Sequence, residues 1–109
     1  MDCEFQTLAC GPEGYVVWCR RCGQVQLAFL TTVLSLSPDE LDSFSRQMKR
    51  VLYGRDDSAF RNEEFFYIST PLAGVCLCLR HFEAGRLCLL LEEAELEFKA
   101  QSLLALFRS

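Results

Sequence analysis

The feature that most constrains the fold is a strand–strand–helix pattern that occurs twice, 43 residues apart. Residues 25–51 contain two strand-like stretches and then a stretch with helical periodicity, and residues 68–94 repeat that order. The apolar positions that should face inward also coincide: Val25 with Ile68, Leu34 with Leu77, Leu36 with Leu79, Phe44 with Leu87, Met48 with Leu91 and Val51 with Ala94. Each unit is too small to bury its own apolar face, so the pattern predicts a duplicated ββα unit around one core.

Local signals place the elements of the first half. Strict alternation from Gln24 to Phe29 indicates a half-buried strand, and the strand-forming stretches Tyr15–Trp18 and Thr32–Leu36 lie on either side of it. Ser37 then provides a helix N-cap, and Glu40 three residues later completes a capping box. A helix is therefore expected to begin directly after the third of these strands.

The second half predicts strands at Phe65–Thr70 and Val75–Leu79 and a helix at Phe82–Ala94. The tail 96–107 keeps a helical period, either as a continuation or as a separate final helix. Its apolar positions share one face: Leu96, Ala100, Leu103 and Phe107. The expected fold is a single α+β domain over 1–109, an antiparallel sheet of about five strands with helices on one face.

Composition excludes several classes of partner. Half of the 109 residues are hydrophobic, and the formal net charge is −4, whereas nucleic acids and anionic membranes select basic surfaces. The acidic N-terminus lacks the apolar stretch of a secretory signal, and no apolar run approaches the roughly 20 residues that span a bilayer. These features predict a cytoplasmic protein that binds neither membrane nor nucleic acid. The seven cysteines are an odd number, which fits reduced thiols or a metal better than a full set of disulfides.

Two cysteines have the spacing of a zinc knuckle. Cys19 and Cys22 lie on a short turn between two predicted strands, and Gly23 follows them. Two thiolates at this spacing can occupy adjacent corners of a tetrahedral zinc site. The remaining ligands would have to come from elsewhere, and Cys10 and Cys3 are the candidates, with His81 as a third possibility in place of Cys3.

Two other interpretations of these cysteines stay open. They can be ordinary buried or half-exposed thiols, or a redox dithiol. The redox interpretation lacks the usual helix N-terminus that lowers a thiol pKa, because Cys22 leads into a strand. An enzyme is also a poor fit, since His81 is the one histidine and no residue beside it completes a nucleophile–base pair. No catalytic residue is assigned.

The predicted second hairpin has an unusual outward face. If the apolar positions named above point inward, period-two alternation directs four other side chains outward: Phe65, Tyr67, Cys76 and Cys78. An outward face is normally polar, whereas this one is aromatic and apolar. Either the final helix 96–107 covers it, or a second copy or another protein does.

The chain also resembles a family of short bacterial proteins of unknown function. The resemblance rests on the segment Cys19–Phe29 and on the C-terminal segments Leu90–Ala94 and Leu103–Phe107, and it covers most of the chain. The family pattern implies a glycine after the phenylalanine of the strand, and this sequence has Leu30 there, so the following turn is expected to differ. The resemblance implies no activity and no catalytic residues.

Two functional hypotheses follow from the sequence. The first is a non-catalytic interaction protein, a homodimer or a binder of another protein, that uses an apolar sheet face or an exposed helix. The second is a small zinc-stabilised domain whose knuckle holds the fold together or contacts a partner. A thiol redox protein is a distant third.

Overall fold

The computed structural model describes residues 4–54, 60–61 and 64–108, and in this part the chain is an α+β protein. The elements are β1 (Phe5–Gly11), β2 (Gly14–Cys19), β3 (Val25–Phe29), β4 (Thr32–Leu36), α1 (Pro38–Leu52), β5 (Phe60–Arg61), β6 (Phe65–Ser69), β7 (Cys76–Arg80) and α2 (His81–Arg108). Cys3 lies outside the described residues.

The strands form two antiparallel sheets rather than the single sheet of about five strands predicted from the sequence. The first sheet has the order β1–β2–β3–β4 and the second the order β5–β6–β7. In both sheets each strand pairs with its neighbour in the sequence. Helix α1 begins two residues after β4, so the chain leaves the first sheet before the second begins.

Strand β1 was not predicted, and a bulge explains why. The pairing between β1 and β2 shifts its register between Thr7 and Ala9, which places an extra residue in β1. As a result, Leu8 and Ala9 are consecutive in the sequence and both buried. A bulge breaks the alternation by which a strand is recognised, so the pattern of this segment does not look like a strand.

One hydrophobic core joins both sheets and both helices. Helix α1 begins as predicted: the Ser37 N–H donates to Glu40 Oε1 at 2.8 Å, and the Glu40 N–H donates to Ser37 Oγ at 3.1 Å. Its apolar face is fully buried, with Phe44 and Met48 both at 0% exposure. Leu87 and Leu91 of α2 are equally inaccessible, and the two helices pack on each other.

Helix α2 is continuous from His81 to Arg108, so residues 96–107 are its second half and not a separate helix. At about 1.5 Å per residue its 28 residues span roughly 42 Å. The molecule measures 50 × 27 × 26 Å, and a helix of that length fits only along the longest dimension. No helix within the described residues is long and apolar enough to cross a membrane.

The turn between β3 and β4 contains a strained residue. Leu30 has φ +52°, the only positive φ of a non-glycine residue in the described part of the chain. In a two-residue hairpin connection, a positive φ at the first central position is typical of a type II′ turn, where glycine is preferred. A glycine, which the family resemblance predicts at this position, would adopt this φ without the Cβ clash that leucine meets.

We expect Leu30→Gly to stabilise the protein by up to about 1 kcal/mol, because relief of a left-handed leucine outweighs the added chain entropy of glycine. Urea unfolding monitored by circular dichroism measures the change. The matched control is Thr31→Gly in the same turn, where φ is not positive and glycine should destabilise. Equal destabilisation by both substitutions would contradict a strained Leu30.

Candidate interaction surface

Helix α2 carries two apolar stripes on opposite faces. The first stripe faces the core and consists of Leu87, Leu91, Ala94 and Phe98. The second stripe, called here the outer stripe, consists of Leu96, Ala100, Leu103 and Phe107. At 100° per residue, the step from Ala94 to Leu96 turns the stripe through about 200°, which moves it to the far side of the helix.

The core-facing stripe fixes which side of α2 meets the body of the protein. The ring of Phe98 packs edge-on against Trp18 of β2, with the two centroids 4.7 Å apart. One helical turn on, Gln101 remains half-buried. The face that carries Phe98 and Gln101 is therefore attached to the first sheet, and the outer stripe points away from it.

The outer stripe is open to solvent. Leu96 is 69% exposed, Leu103 58% and Phe107 85%, and Ala100 is exposed as well. Residues three and four apart are neighbours on a helix, so the four side chains form one continuous row over three turns. Such a row on an exposed helix marks an interaction site more often than a feature of a monomer.

Neighbouring side chains widen the outer stripe into an apolar surface. Leu104 is 55% exposed and Leu106 is 72% exposed, one on each flank of the row. A shallow groove of about 350 Å³ runs along the helix beside Leu103 and Leu106. Leu104 and Leu106 were not among the interaction residues predicted from the sequence, although the unbroken apolar run at 103–107 was a signal for them.

The four outward residues of the second hairpin do lie together on one face. Tyr67 pairs with Cys78 across β6 and β7, and Phe65 lies two residues before Tyr67 with the ring centroids 6.4 Å apart. Cys76 and Cys78 are exposed, whereas Phe65 and Tyr67 are only half-exposed. We call these four residues the sheet patch.

Part of the sheet patch is covered by its own sheet. The guanidinium carbon of Arg80, which pairs with Phe65, lies 5.2 Å from the centroid of the Phe65 ring. Of the two alternatives for covering this patch, the one in which the outer stripe packs on it is wrong, because Leu96, Leu103 and Phe107 are exposed. The outer stripe therefore offers more uncovered apolar surface than the sheet patch.

Cys22 lies on the turn between β2 and β3, and Cys19 is the last residue of β2 before that turn. The Cys19 N–H donates to the Gln24 carbonyl at 2.9 Å, and the Gly23 N–H donates to the Cys19 carbonyl at 2.8 Å, which closes the turn. Gly23 has φ +77°, a conformation that favours glycine. Cys19 is fully buried at the end of β2, whereas Cys22 is exposed.

Cys10 is not close to this turn, which corrects its assignment as a third zinc ligand. In the ladder between β1 and β2, Cys10 pairs with Tyr15 and Phe5 pairs with Cys19. Positions 10 and 19 are therefore at opposite ends of the hairpin, roughly 15 Å apart at about 3.3 Å per residue. Zinc binds thiolates at about 2.3 Å and cannot bridge that distance.

Among the residues that the structure describes, no three His, Cys, Asp or Glu side chains are grouped closely enough to hold a metal ion. Cys3, the other proposed ligand, lies outside them. His81 is the first residue of α2, and its ring lies 4.5 Å from that of Phe66. Zinc binding stays a prediction from the spacing of Cys19 and Cys22.

The buried thiol of Cys88 on α2 is poorly suited to chemistry. Burial, and then the nearby carboxylate of Glu92, raise the pKa of Cys88 from 9.0 to about 11. The Cys88 Sγ also donates to Glu92 Oε1 at 3.7 Å. Because the thiolate is the reactive form, this cysteine stays inert at neutral pH.

No protein-family model, curated protein or solved structure matches this chain.

Proposed function

We propose that this is a non-catalytic interaction protein that assembles with another polypeptide through the outer stripe of α2. One observation carries the proposal: a row of large apolar side chains lies on the helix face opposite the buried one and is more than half exposed. Within residues 4–54, 60–61 and 64–108, both sheets are on the other side of the helix, which leaves the row for another chain to cover. The occupant for which the geometry argues is a second copy of this protein.

The sheet patch is the second candidate surface for the same function. Its two exposed thiols and two half-exposed aromatic rings form one face of the β6–β7 hairpin. Arg80 already lies over Phe65, so the apolar surface left for a partner is smaller than that of the outer stripe. We therefore rank this surface below α2.

We expect Leu103→Glu to convert the assembled protein into monomers of 12.5 kDa. Leu103 is at the centre of the outer stripe, and a carboxylate there would lose its water on assembly without an opposite charge to compensate. Binding should weaken at least about 100-fold, which corresponds to about 2.7 kcal/mol. Light scattering over a wide range of concentrations gives the masses, and circular dichroism checks that the variant is folded.

Tyr67→Glu is the matched test of the sheet patch. It introduces the same charge on the second surface and should leave the assembly intact. If Tyr67→Glu dissociates the assembly and Leu103→Glu does not, the interaction surface is the sheet patch and not the outer stripe. A wild-type protein that is monomeric at every concentration would contradict the proposed function.

We also propose that the segments 25–51 and 68–94 derive from one duplicated ββα unit. The element order β3–β4–α1 recurs as β6–β7–α2. The proposal is supported by one bond at the start of α2: the Arg80 N–H donates to Glu83 Oε1 at 2.8 Å, as the Ser37 N–H donates to Glu40 Oε1 43 residues earlier. The bond to the Ser37 hydroxyl has no counterpart, because position 80 is an arginine. Strands β3 and β6 do not correspond at an offset of 43 residues, because the β6–β7 connection is longer than the β3–β4 connection.

Membership of the bacterial family that the sequence resembles and a cytoplasmic location stay predictions from the sequence. Both are compatible with an interaction protein that keeps its cysteines as thiols. The six cysteines within the described residues form no disulfide with one another. A reducing compartment would keep them in that state.

A further inference from the structure

We infer that two copies of this protein pair through their outer stripes as antiparallel helices related by a two-fold axis. The inference rests on the proposed function and names its partner and geometry. The axis passes between Ala100 and Leu103, so that Leu96 lies level with Phe107 of the second copy. Ala100 then lies level with Leu103 of the second copy.

The arrangement of the monomer leaves room for this pairing. Phe98 and Trp18 attach the opposite face of α2 to the first sheet, so the stripe faces open solvent. When two stripes meet, the bodies of the two copies lie on the outer sides of the helix pair. The stripe is already exposed in the monomer, so no covering segment among the described residues has to move before contact.

The spacing of the stripe suits a packed helix pair. Intervals of four, three and four residues between Leu96, Ala100, Leu103 and Phe107 are those of the apolar seam in a coiled coil. In the antiparallel register the small Ala100 faces the larger Leu103, which allows the two helices to approach closely. The contact is self-complementary, as a two-fold interface requires, because each pair occurs twice.

The charge on α2 favours the antiparallel over the parallel orientation. Glu93 continues the stripe at the same spacing before Leu96, and it is exposed. In a parallel pair the two Glu93 carboxylates would face each other within the seam, where like charges repel. In the antiparallel register the two residues are roughly 25 Å apart along the helix axis, at about 1.5 Å per residue.

The exposed area is sufficient for a specific dimer. An aromatic side chain has about 150–250 Å² of surface, and a leucine has somewhat less. Multiplied by their exposed fractions, the five side chains of this surface expose roughly 500–600 Å² of apolar area per copy. These side chains are Leu96, Leu103, Leu104, Leu106 and Phe107. Two copies together would bury about 1,000–1,200 Å², which reaches the lower end of specific interfaces.

A charge exchange tests both the partner and the orientation. Leu96→Glu and Phe107→Lys should each weaken dimerisation at least about 100-fold, because each places a charge in an apolar contact. The double variant should regain most of the affinity, since the introduced glutamate of each copy lies level with the introduced lysine of the other. Sedimentation of the full chain measures the dissociation constants, and circular dichroism confirms that each variant is folded.

The matched control is Leu89→Glu. Leu89 is 62% exposed on the same face of the same helix, but it lies outside the overlap of two antiparallel stripes, so dimerisation should be unchanged. In a parallel dimer it would lie in the seam, and the double charge variant would bring like charges together at two levels. A double variant no tighter than the single variants, or dissociation by Leu89→Glu, would overturn the antiparallel arrangement.

These outcomes separate the geometry from the proposed function. Suppose that Leu103→Glu dissociates the dimer but that the double variant does not restore it. The outer stripe is then still the interaction surface, and the antiparallel arrangement is overturned. A wild-type monomer overturns both.

Discussion

Phe44→Ala should destabilise the protein by about 3–5 kcal/mol, the range for truncation of a fully buried aromatic side chain. Phe44 has no accessible surface and lies on the buried face of α1, the helix that packs against α2. Removal of its side chain would leave a cavity in the hydrophobic core. Because the total free energy of unfolding of a domain is about 5–15 kcal/mol, the variant should be only marginally stable.

Thermal and urea unfolding measure this loss, and the melting temperature should fall by more than about 10 °C. Phe82→Ala is the matched control: Phe82 is in α2 and 63% exposed, so its truncation should cost less than about 1 kcal/mol. A comparable loss in both variants would contradict the placement of Phe44 at the centre of the core.

Gly14→Ala should lower the free energy of unfolding by at least about 2–3 kcal/mol, because there is no space for the alanine side chain. A Cβ atom at position 14 would lie 1.9 Å from the carbonyl oxygen of Ala28 and 2.9 Å from the Cα of Phe29. Both are backbone atoms of the neighbouring strand β3, so a side-chain rotation cannot relieve the contact. The pairing of β2 with β3 would have to shift.

Gly11→Ala is the control for this prediction. Gly11 pairs with Gly14 across the β1–β2 hairpin, and a Cβ atom there would meet no atom within 4 Å. Its replacement should change the free energy of unfolding by less than about 0.5 kcal/mol. Urea unfolding of the two variants side by side provides the measurement, and a tolerated Gly14→Ala would disprove the close approach of β2 and β3.

The sequence predicted the elements whose signals are local. The capping box of Ser37 and Glu40 marked the start of α1, and the alternation from Gln24 to Phe29 marked β3, because both depend on residues only a few positions apart. The inward direction of Leu34 and Leu77 also followed from alternation, and both are buried. The candidate residues of the sheet patch were found in the same way.

Contacts between residues far apart in the sequence decided the features of the fold that local patterns did not predict. The bulge at Leu8 concealed β1, and pairing within each half produced two sheets where one was expected. The ladder of β1 with β2 placed Cys10 away from Cys19, although eight intervening residues had allowed either outcome. Register across a hairpin is set by which residues pair, and spacing along the chain does not fix it.

Helix α2 shows most clearly which features the sequence determines and which the tertiary structure decides. The sequence by itself determined its helical period and the four apolar residues of the outer stripe, since a helix places residues three and four apart on one face. Whether that stripe is core or surface depended on the tertiary structure: Phe98 packs on Trp18, and this contact turns Leu96, Leu103 and Phe107 towards solvent. Two apolar faces on one helix cannot both meet the same body, and packing selected the one that is buried.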